Sequence, residues 1–190
     1  EDEARALIRV MKNEYGAGKF AFFYQDDSFG RGLLEAAKVE LAKFGIENFL
    51  ALPYARGSSS FSLQIQAFKD YSPDALGFFA IATATKEFIR HIGVDNLLSM
   101  NLFAISAVGE VQLRRFLKGR GLSLLFGSAV PNPFIGQRPI TVAYREAMKK
   151  DDNILGIASF EAYVATSLFL HGLAQVHSDS PTPEEVLKVF

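Results

Sequence analysis

The chain has 190 residues, 49% of them hydrophobic, and 20 basic residues nearly balance 21 acidic ones for a net charge of −1. This length suits one large or two small globular domains, which would bury about 70% of the unfolded surface. The absence of cysteine excludes disulfides, thiol catalysis and cysteine-ligated zinc. The sequence has no basic, aromatic-rich stripe, so nucleic acid is a disfavoured partner. It also has no apolar run of about 18 residues, so no membrane insertion is expected.

The first elements follow from hydrophobic spacing. Residues 3–15 predict a helix, whose apolar face would consist of Ala6, Leu7, Val10 and Met11. Residues 19–25 form a short apolar and aromatic run, which is typical of a parallel strand buried on both faces. A second helix follows, with apolar residues at helical spacing, and ends at Gly45.

The turn between this strand and the second helix is the most informative segment. Asp26, Asp27 and Ser28 can accept hydrogen bonds from the free N–H groups of the helix, and Gly30 and Gly32 allow its first turn to pack closely. A dinucleotide site is disfavoured because no third glycine completes the pattern. A phosphate P-loop lacks its Gly-Lys-Ser or Gly-Lys-Thr, and a response-regulator receiver lacks a phosphorylatable Asp after the third strand. The two remaining interpretations of the acidic pair are a helix cap and the lip of a ligand pocket.

The remaining strands are predicted at 48–54, 74–81, 102–106 and 122–130, with a helix after each of the first three. Thr83 or Thr85 is the predicted cap of the helix that follows the third strand. Because strands alternate with helices, the predicted fold is α/β, a doubly wound parallel sheet of about five strands with right-handed crossovers.

The pattern changes after residue 130. Three prolines punctuate the next segment, and helices are predicted at 140–149 and 159–176 without any further strand. The second of these helices carries a predicted apolar side with Phe160, Tyr163, Val164, Ser167, Leu168 and His171. We therefore divide the chain into an α/β domain, 1–130, and a helical C-terminal tail, 131–190.

The last predicted element begins at Thr182, where Thr-Pro-Glu-Glu forms a capping box with proline at the first helical position. The sequence ends soon after this start, and it carries no signal peptide. A cytosolic protein, a mature form or a fragment would each lack a signal peptide, and the helix that has only begun at the end of the sequence favours a fragment.

Taken in order, several segments make the chain similar to a known family. They are Phe23-Tyr24-Gln25-Asp26-Asp27-Ser28-Phe29-Gly30, Asp74-Ala75-Leu76-Gly77-Phe78-Phe79-Ala80 with Phe88-Ile89-Arg90, Ile105-Ser106-Ala107-Val108-Gly109, and Ser159-Phe160-Glu161-Ala162-Tyr163-Val164-Ala165. The chain resembles the type I periplasmic solute-binding proteins of branched-chain amino acid ABC transporters. The resemblance extends over essentially the whole sequence.

This resemblance implies a two-lobed protein that closes on a small ligand and delivers it to an ABC permease from the periplasm or the extracellular space. Residues 1–130 would correspond to the second lobe, and 131–190 to a crossover and helices that pack on the first. The ligand contacts implied by position are Phe29, Ile81, Ala82, Thr83 and Ser106.

Two positions depart from the amino-acid-binding members of that family. Position 106 is acidic there and receives the ligand's ammonium group, whereas this chain has Ser106; and no aromatic residue stands at Ile81 or Ala82. Without a nearby carboxylate, burial of an ammonium group would carry a large desolvation cost. We therefore expect a less cationic ligand, such as a carboxylate or aromatic acid.

Other functions fit the sequence less well. The same fold occurs in ligand-sensing modules of receptors, which is the alternative function. An enzyme is not expected, because no acid–base pair, activated nucleophile or metal cluster stands at the predicted turns, and no cofactor is implied. The three histidines have no metal-ligand spacing. The apolar faces of the C-terminal helices further predict that these helices fold back onto the lobe, or form a homodimer or a segment swap through residues 140–176.

Overall fold

The computed structural model describes residues 1–149, 155–178 and 180–190. The chain forms two compact units, Glu1–Ala129 and Val130–Phe190. The first unit contains five strands: β1 (Phe20–Gln25), β2 (Leu50–Tyr54), β3 (Ala75–Phe79), β4 (Asn101–Ala104) and β5 (Leu124–Phe126). Its helices are α1 (Asp2–Asn13), α2 (Ser28–Ala42), α3 (Ser62–Tyr71), α4 (Ala82–Ile92) and α5 (Glu110–Leu117), with short 3-10 turns at Val94–Asn96 and Ser106–Val108.

The five strands form one parallel sheet in the order β2-β1-β3-β4-β5. The chain leaves β1 in one direction to form β2 and returns past β1 to form the other three strands. The predicted doubly wound parallel sheet is therefore confirmed. In sheets of this kind, ligands bind outside the carboxyl ends of the strands, near the point where the strand order reverses.

Each face of the sheet is covered by helices. One apolar cluster joins α1 and α2 to Phe20, Phe22 and Phe79, and the other joins α3, α4 and α5 to Phe23 and Phe78. These strand side chains are fully buried, as expected for parallel strands that are covered on both sides. The ring of Phe88 of α4 packs against that of Phe23, with the ring centroids 4.3 Å apart, so α4 is packed directly on the sheet.

Several predicted details differ from the structure. The buried face of α1 consists of Ala4, Leu7, Ile8 and Met11, whereas Ala6 is exposed, so the predicted face is rotated. The predicted strand over 122–130 is only three residues long, because β5 pairs with β4 alone and its partner spans only 101–104.

The predicted threonine cap of α4 is wrong. The N-cap residue is Ile81, which has no side-chain hydrogen-bond acceptor. Thr85 is fully buried and its hydroxyl has no hydrogen-bond partner among the described residues. The helix begins earlier than predicted because Ala82 follows the strand end after only two residues, which leaves both threonines inside the helix.

The second unit is helical, with α6 (Pro139–Met148), α7 (Ile157–Leu173) and α8 (Pro183–Leu187). No strand occurs among its described residues, as predicted. The capping box at Thr182 is confirmed, since its hydroxyl accepts from Glu185 N–H and the Glu185 carboxylate accepts from Thr182 N–H. The predicted apolar side of α7 is buried only at Phe160, while Leu168 and His171 are exposed.

No helix in the described part of the chain has the length and apolar character needed to cross a membrane.

Candidate functional site

The carboxyl ends of all five strands lie at one edge of the sheet. The register pairs Gln25 with Tyr54, Tyr24 with Phe79, Phe78 with Ala104, and Ala104 with Phe126, so every strand ends at nearly the same level. The turns that follow the strands therefore form a continuous rim, which we call the carboxyl rim. It comprises residues 26–30, 55–57, 80–83, 105–109 and 127–128.

All five predicted contact residues lie on or next to the carboxyl rim. Phe29 is in the first turn of α2 and is 36% exposed, and Ile81, the N-cap of α4, is 45% exposed. Thr83 is exposed, Ser106 is half-buried, and Ala82 is buried. The carboxyl rim thus presents two large apolar side chains, beside hydroxyl groups, to whatever occupies the space outside the sheet.

The turn after β1 is held by Asp27. Its Oδ1 accepts hydrogen bonds from Phe29 N–H at 3.1 Å and Gly30 N–H at 3.3 Å, so the predicted helix cap is confirmed for this residue. Its Oδ2 accepts from Arg56 at 2.8 Å and from the Gln25 amide at 2.6 Å. The Arg56 guanidinium, with the Gln25 amide and Gly30 N–H, lowers the pKa of Asp27 to about 2. Asp27 is therefore charged, and its carboxylate holds the turn through these four hydrogen bonds.

The other member of the acidic pair has a different partner. Asp26 accepts a hydrogen bond from Arg31 Nε at 2.7 Å. This hydrogen bond lowers the pKa of Asp26 below its usual range. Both carboxylates of the pair thus form ion pairs with arginines of the same unit.

A buried chain of hydrogen bonds continues from Asp27 to the turn after β3. The Tyr54 hydroxyl donates a hydrogen bond to Gln25 Oε1 and accepts one from Ile81 N–H, and both distances are 3.4 Å. Burial raises the pKa of the Tyr54 hydroxyl, so it remains neutral and able to donate. Through Tyr54 the ends of β1, β2 and β3 are joined, and the backbone at Ile81 is fixed where α4 begins.

The ends of β3 and β4 approach each other at two small residues. Gly109 has φ +85°, and a Cβ built on it would lie 3.5 Å from the Cβ of Ala82. The left-handed backbone at Gly109 lets the chain leave the short turn after β4 and enter α5 without strain. Small residues at these two positions therefore let the third and fourth turns of the carboxyl rim pack closely.

Ser106, at the end of β4, is bonded to a residue from the opposite end of the unit's sequence. Its N–H donates to Glu3 Oε1 at 2.5 Å, and its hydroxyl donates to Glu3 Oε2 at 3.1 Å. The expectation that no carboxylate lies near Ser106 is therefore wrong. The carboxylate comes from the first turn of α1 rather than from position 106 itself.

Sequence reasoning missed Glu3, Gln25, Tyr54 and Arg56. A signal for Glu3 was present, because it lies four and eight residues before Leu7 and Met11 and so shares their helical face. The helix before a parallel strand also starts near that strand's carboxyl end. Tyr54 and Arg56 gave no comparable signal, since their roles depend on the pairing of β1 with β2.

Other features of the first unit do not involve the predicted contact residues. An open groove of about 760 Å³ runs between α5 and β5, lined by residues such as Arg114, Leu122 and Phe126. Among the described residues no group of three or more His, Asp or Glu side chains is placed to hold a metal ion. Asp27, Gln25, Tyr54 and Arg56 brace the turns of the carboxyl rim, whereas Phe29, Ile81 and Thr83 are on its exposed surface.

Comparison with known proteins agrees with this arrangement. A family model described as periplasmic binding protein matches residues 1–190. The chain belongs to this family. A search of curated proteins finds no match.

Solved structures of low sequence identity share the fold. A protein from Rhodopirellula baltica SH 1, described as a possible leucine/isoleucine/valine-binding protein, is 18% identical with a TM-score of 0.85, over 99% of this chain and 52% of that one. A leucine-binding protein from Thermotoga maritima is 16% identical with a TM-score of 0.84, over 99% of this chain and 53% of that one. A branched-chain amino acid ABC transporter protein from Thermus thermophilus with bound valine is 15% identical with a TM-score of 0.76, over 98% of this chain and 50% of that one. The chain spans about half the length of each.

Proposed function

We propose that this chain is the second lobe, with crossover helices, of an extracytoplasmic solute-binding protein of an ABC transporter. The intact protein would bind a small amino-acid-like, carboxylate or aromatic ligand between two lobes and would present the closed form to a membrane permease. The role is non-enzymatic, because binding energy is used only to favour the closed conformation. Residues 1–130 would form the lobe, and residues 131–190 would cross back to the other lobe.

The observation that carries the proposal is the chemistry of the carboxyl rim in a chain of this family. Phe29 and Ile81 offer exposed apolar surface, which would cover the apolar part of a ligand. Such residues, partly exposed in this lobe, would gain their full contact only when the other lobe closes. A binding cleft between lobes requires this combination of apolar walls and a few polar groups.

The start of α4 supports a carboxylate on the ligand. Ile81 provides no side-chain cap, and the first N–H groups of a helix have no partner inside the helix. The N–H groups of Ala82 and Thr83 would therefore donate to a ligand carboxylate, and the helix dipole would favour its charge. The Thr83 hydroxyl is exposed beside them and would add a further donor.

The test uses the intact protein that contains this chain. Thermal unfolding and titration calorimetry with the twenty amino acids and a set of small aliphatic and aromatic carboxylic acids should find at least one ligand that raises the unfolding midpoint. Small-angle scattering should then show a smaller radius of gyration with that ligand. Absence of binding across the set, or binding without closure, would contradict the proposal. Stimulation of the partner permease by the liganded protein would separate transport from a sensor role.

A further inference from the structure

The Glu3 carboxylate lies against the carboxyl rim, between Ser106 and Gly127. It accepts two hydrogen bonds from Ser106, one from the backbone N–H and one from the hydroxyl. Both donors are neutral, and Glu3 and Ser106 are half-buried. A carboxylate has about four acceptor positions, so each of its oxygens retains the capacity for one further donor.

Glu3 differs from the other acidic residues of the same helical turn. Arg5 pairs with Glu1 at 3.3 Å and with Asp2 at 2.7 Å, in an exposed cluster. Among the described residues no lysine or arginine nitrogen lies within 4.0 Å of the Glu3 carboxylate. A half-buried carboxylate with neutral donors on one side and no cation is a favourable place for an external cation.

The backbone beside Glu3 is shaped to admit its side chain. A Cβ at Gly127, directly after β5, would lie 2.2 Å from Glu3 Oε1 and 2.5 Å from its Cγ. Any larger residue at 127 would therefore displace the carboxylate from Ser106. Gly127 N–H in turn donates to Ala104 O at 2.9 Å, which fixes this backbone against the end of β4. The backbone at the ends of β4 and β5 thus forms a site that fits one carboxylate.

We propose that Glu3 binds the cationic amino group of the ligand and so determines the specificity of the site. This inference rests on the proposed function. It assigns to α1 the charge that position 106 lacks, with Ser106 as a positioning residue that orients the carboxylate. The ligand class is then an α-amino acid or a related apolar amine with a carboxylate. Its carboxylate would meet the start of α4, and its ammonium would meet Glu3.

The test compares E3Q with D2N in the intact protein. Glutamine at position 3 retains an oxygen that accepts from Ser106 but removes the charge. D2N removes the same charge one residue away, where the side chain is 99% exposed and paired with Arg5. The probes are pairs that differ only in the amino group: leucine with 4-methylpentanoate, and phenylalanine with 3-phenylpropanoate. Affinities come from calorimetry, and unfolding midpoints without ligand show that each variant is folded.

The expected result is that the wild type prefers the amino-bearing member of at least one pair. E3Q should weaken that member's binding about 10- to 100-fold, the range for a hydrogen bond to a charged group, while the deaminated member changes little. D2N should leave both affinities within about twofold, as for an exposed charge.

Preference for the deaminated members, or equal effects of E3Q on both members of a pair, would overturn the role of Glu3 and leave the proposed function intact. Binding of neither member of any pair, by a protein that binds no other compound in the wider set, would overturn both. If E3Q does not fold, E3D provides the second variant. Its carboxylate is shorter by one methylene and should lose the amino-bearing ligand selectively.

Discussion

The backbone of Gly30 lies against the carbonyl group of Gln25, the last residue of β1. A Cβ at position 30 would come within 2.0 Å of the Gln25 oxygen. Gly30 also donates its N–H to Asp27, so the first turn of α2 is held tightly over the strand end. This close approach sets the position of Phe29 on the carboxyl rim.

Gly30→Ala should therefore destabilise the chain. The added methyl group cannot be accommodated without moving α2 away from β1, and overpacking of this kind costs about 1–3 kcal/mol of unfolding free energy. Gly32→Ala is the matched control, since a Cβ there meets only Glu1 Oε1 at 3.8 Å. Alanine inside a helix should stabilise by about 0.5–1 kcal/mol. Urea unfolding of both variants tests whether the unfolding free energy falls for Gly30→Ala and rises for Gly32→Ala.

The hydrogen bonds of Asp27 predict a pH dependence of stability. Its pKa in the folded chain is about 2, below its ordinary value of 3.8. A lowered folded-state pKa contributes stability above the unfolded pKa, and this contribution is lost as pH falls from about 4 to about 2. D27N should therefore lower the unfolding midpoint at pH 6, and the difference from the wild type should shrink towards pH 2.

Arg56 is the main cause of this shift, so R56Q should reduce the same pH dependence. A difference between wild type and D27N that is constant from pH 6 to pH 2 would show that Asp27 is not held as described.

Removal of the Tyr54 hydroxyl should loosen the start of α4. Tyr54→Phe retains the ring, which stacks 4.6 Å from Phe23, but leaves Ile81 N–H and Gln25 Oε1 without this partner. Buried unsatisfied groups cost about 1–3 kcal/mol. The expected result is a lower unfolding free energy and faster hydrogen exchange at the Ile81 amide. Tyr71→Phe, whose hydroxyl makes an exposed 3.4 Å contact with Asn48 O, should change neither. Equal behaviour of the two variants would contradict the role of Tyr54.

The second unit predicts concentration-dependent association. On α7, Leu168, Phe169 and Leu170 are each about half exposed, at 56%, 49% and 56%, and exposed apolar surface favours pairing with a second copy or a swapped segment. Residues 150–154, within the predicted segment 140–176, lie outside the described residues. Light scattering of this chain should show a mass that rises with concentration. Changing the three residues to Gln should abolish the rise, whereas Val39→Gln on α2 should not. A constant monomer mass over the concentration range would contradict the predicted association.

Much of the first unit was predictable from sequence because its signals are local. The apolar run before Gln25, the capping residue Asp27 and the spacing of Leu33, Ala37 and Leu41 each report on neighbours within a few residues. Such patterns give the order of strands and helices, and the order gives a parallel sheet. The rotated face of α1 and the early start of α4 were missed because tertiary packing selected among locally similar alternatives.

The amino-acid sequence by itself therefore determined that this chain alternates strands and helices, and that the turns after the strands share one edge. Only the tertiary structure decided which side chains meet there. Glu3 and Ser106 are 103 residues apart, and Tyr54 reaches Ile81 across two strand pairings. The physical reason is that local patterns fix backbone conformation, whereas contacts of this kind depend on strand register and side-chain direction, which only the packed sheet specifies.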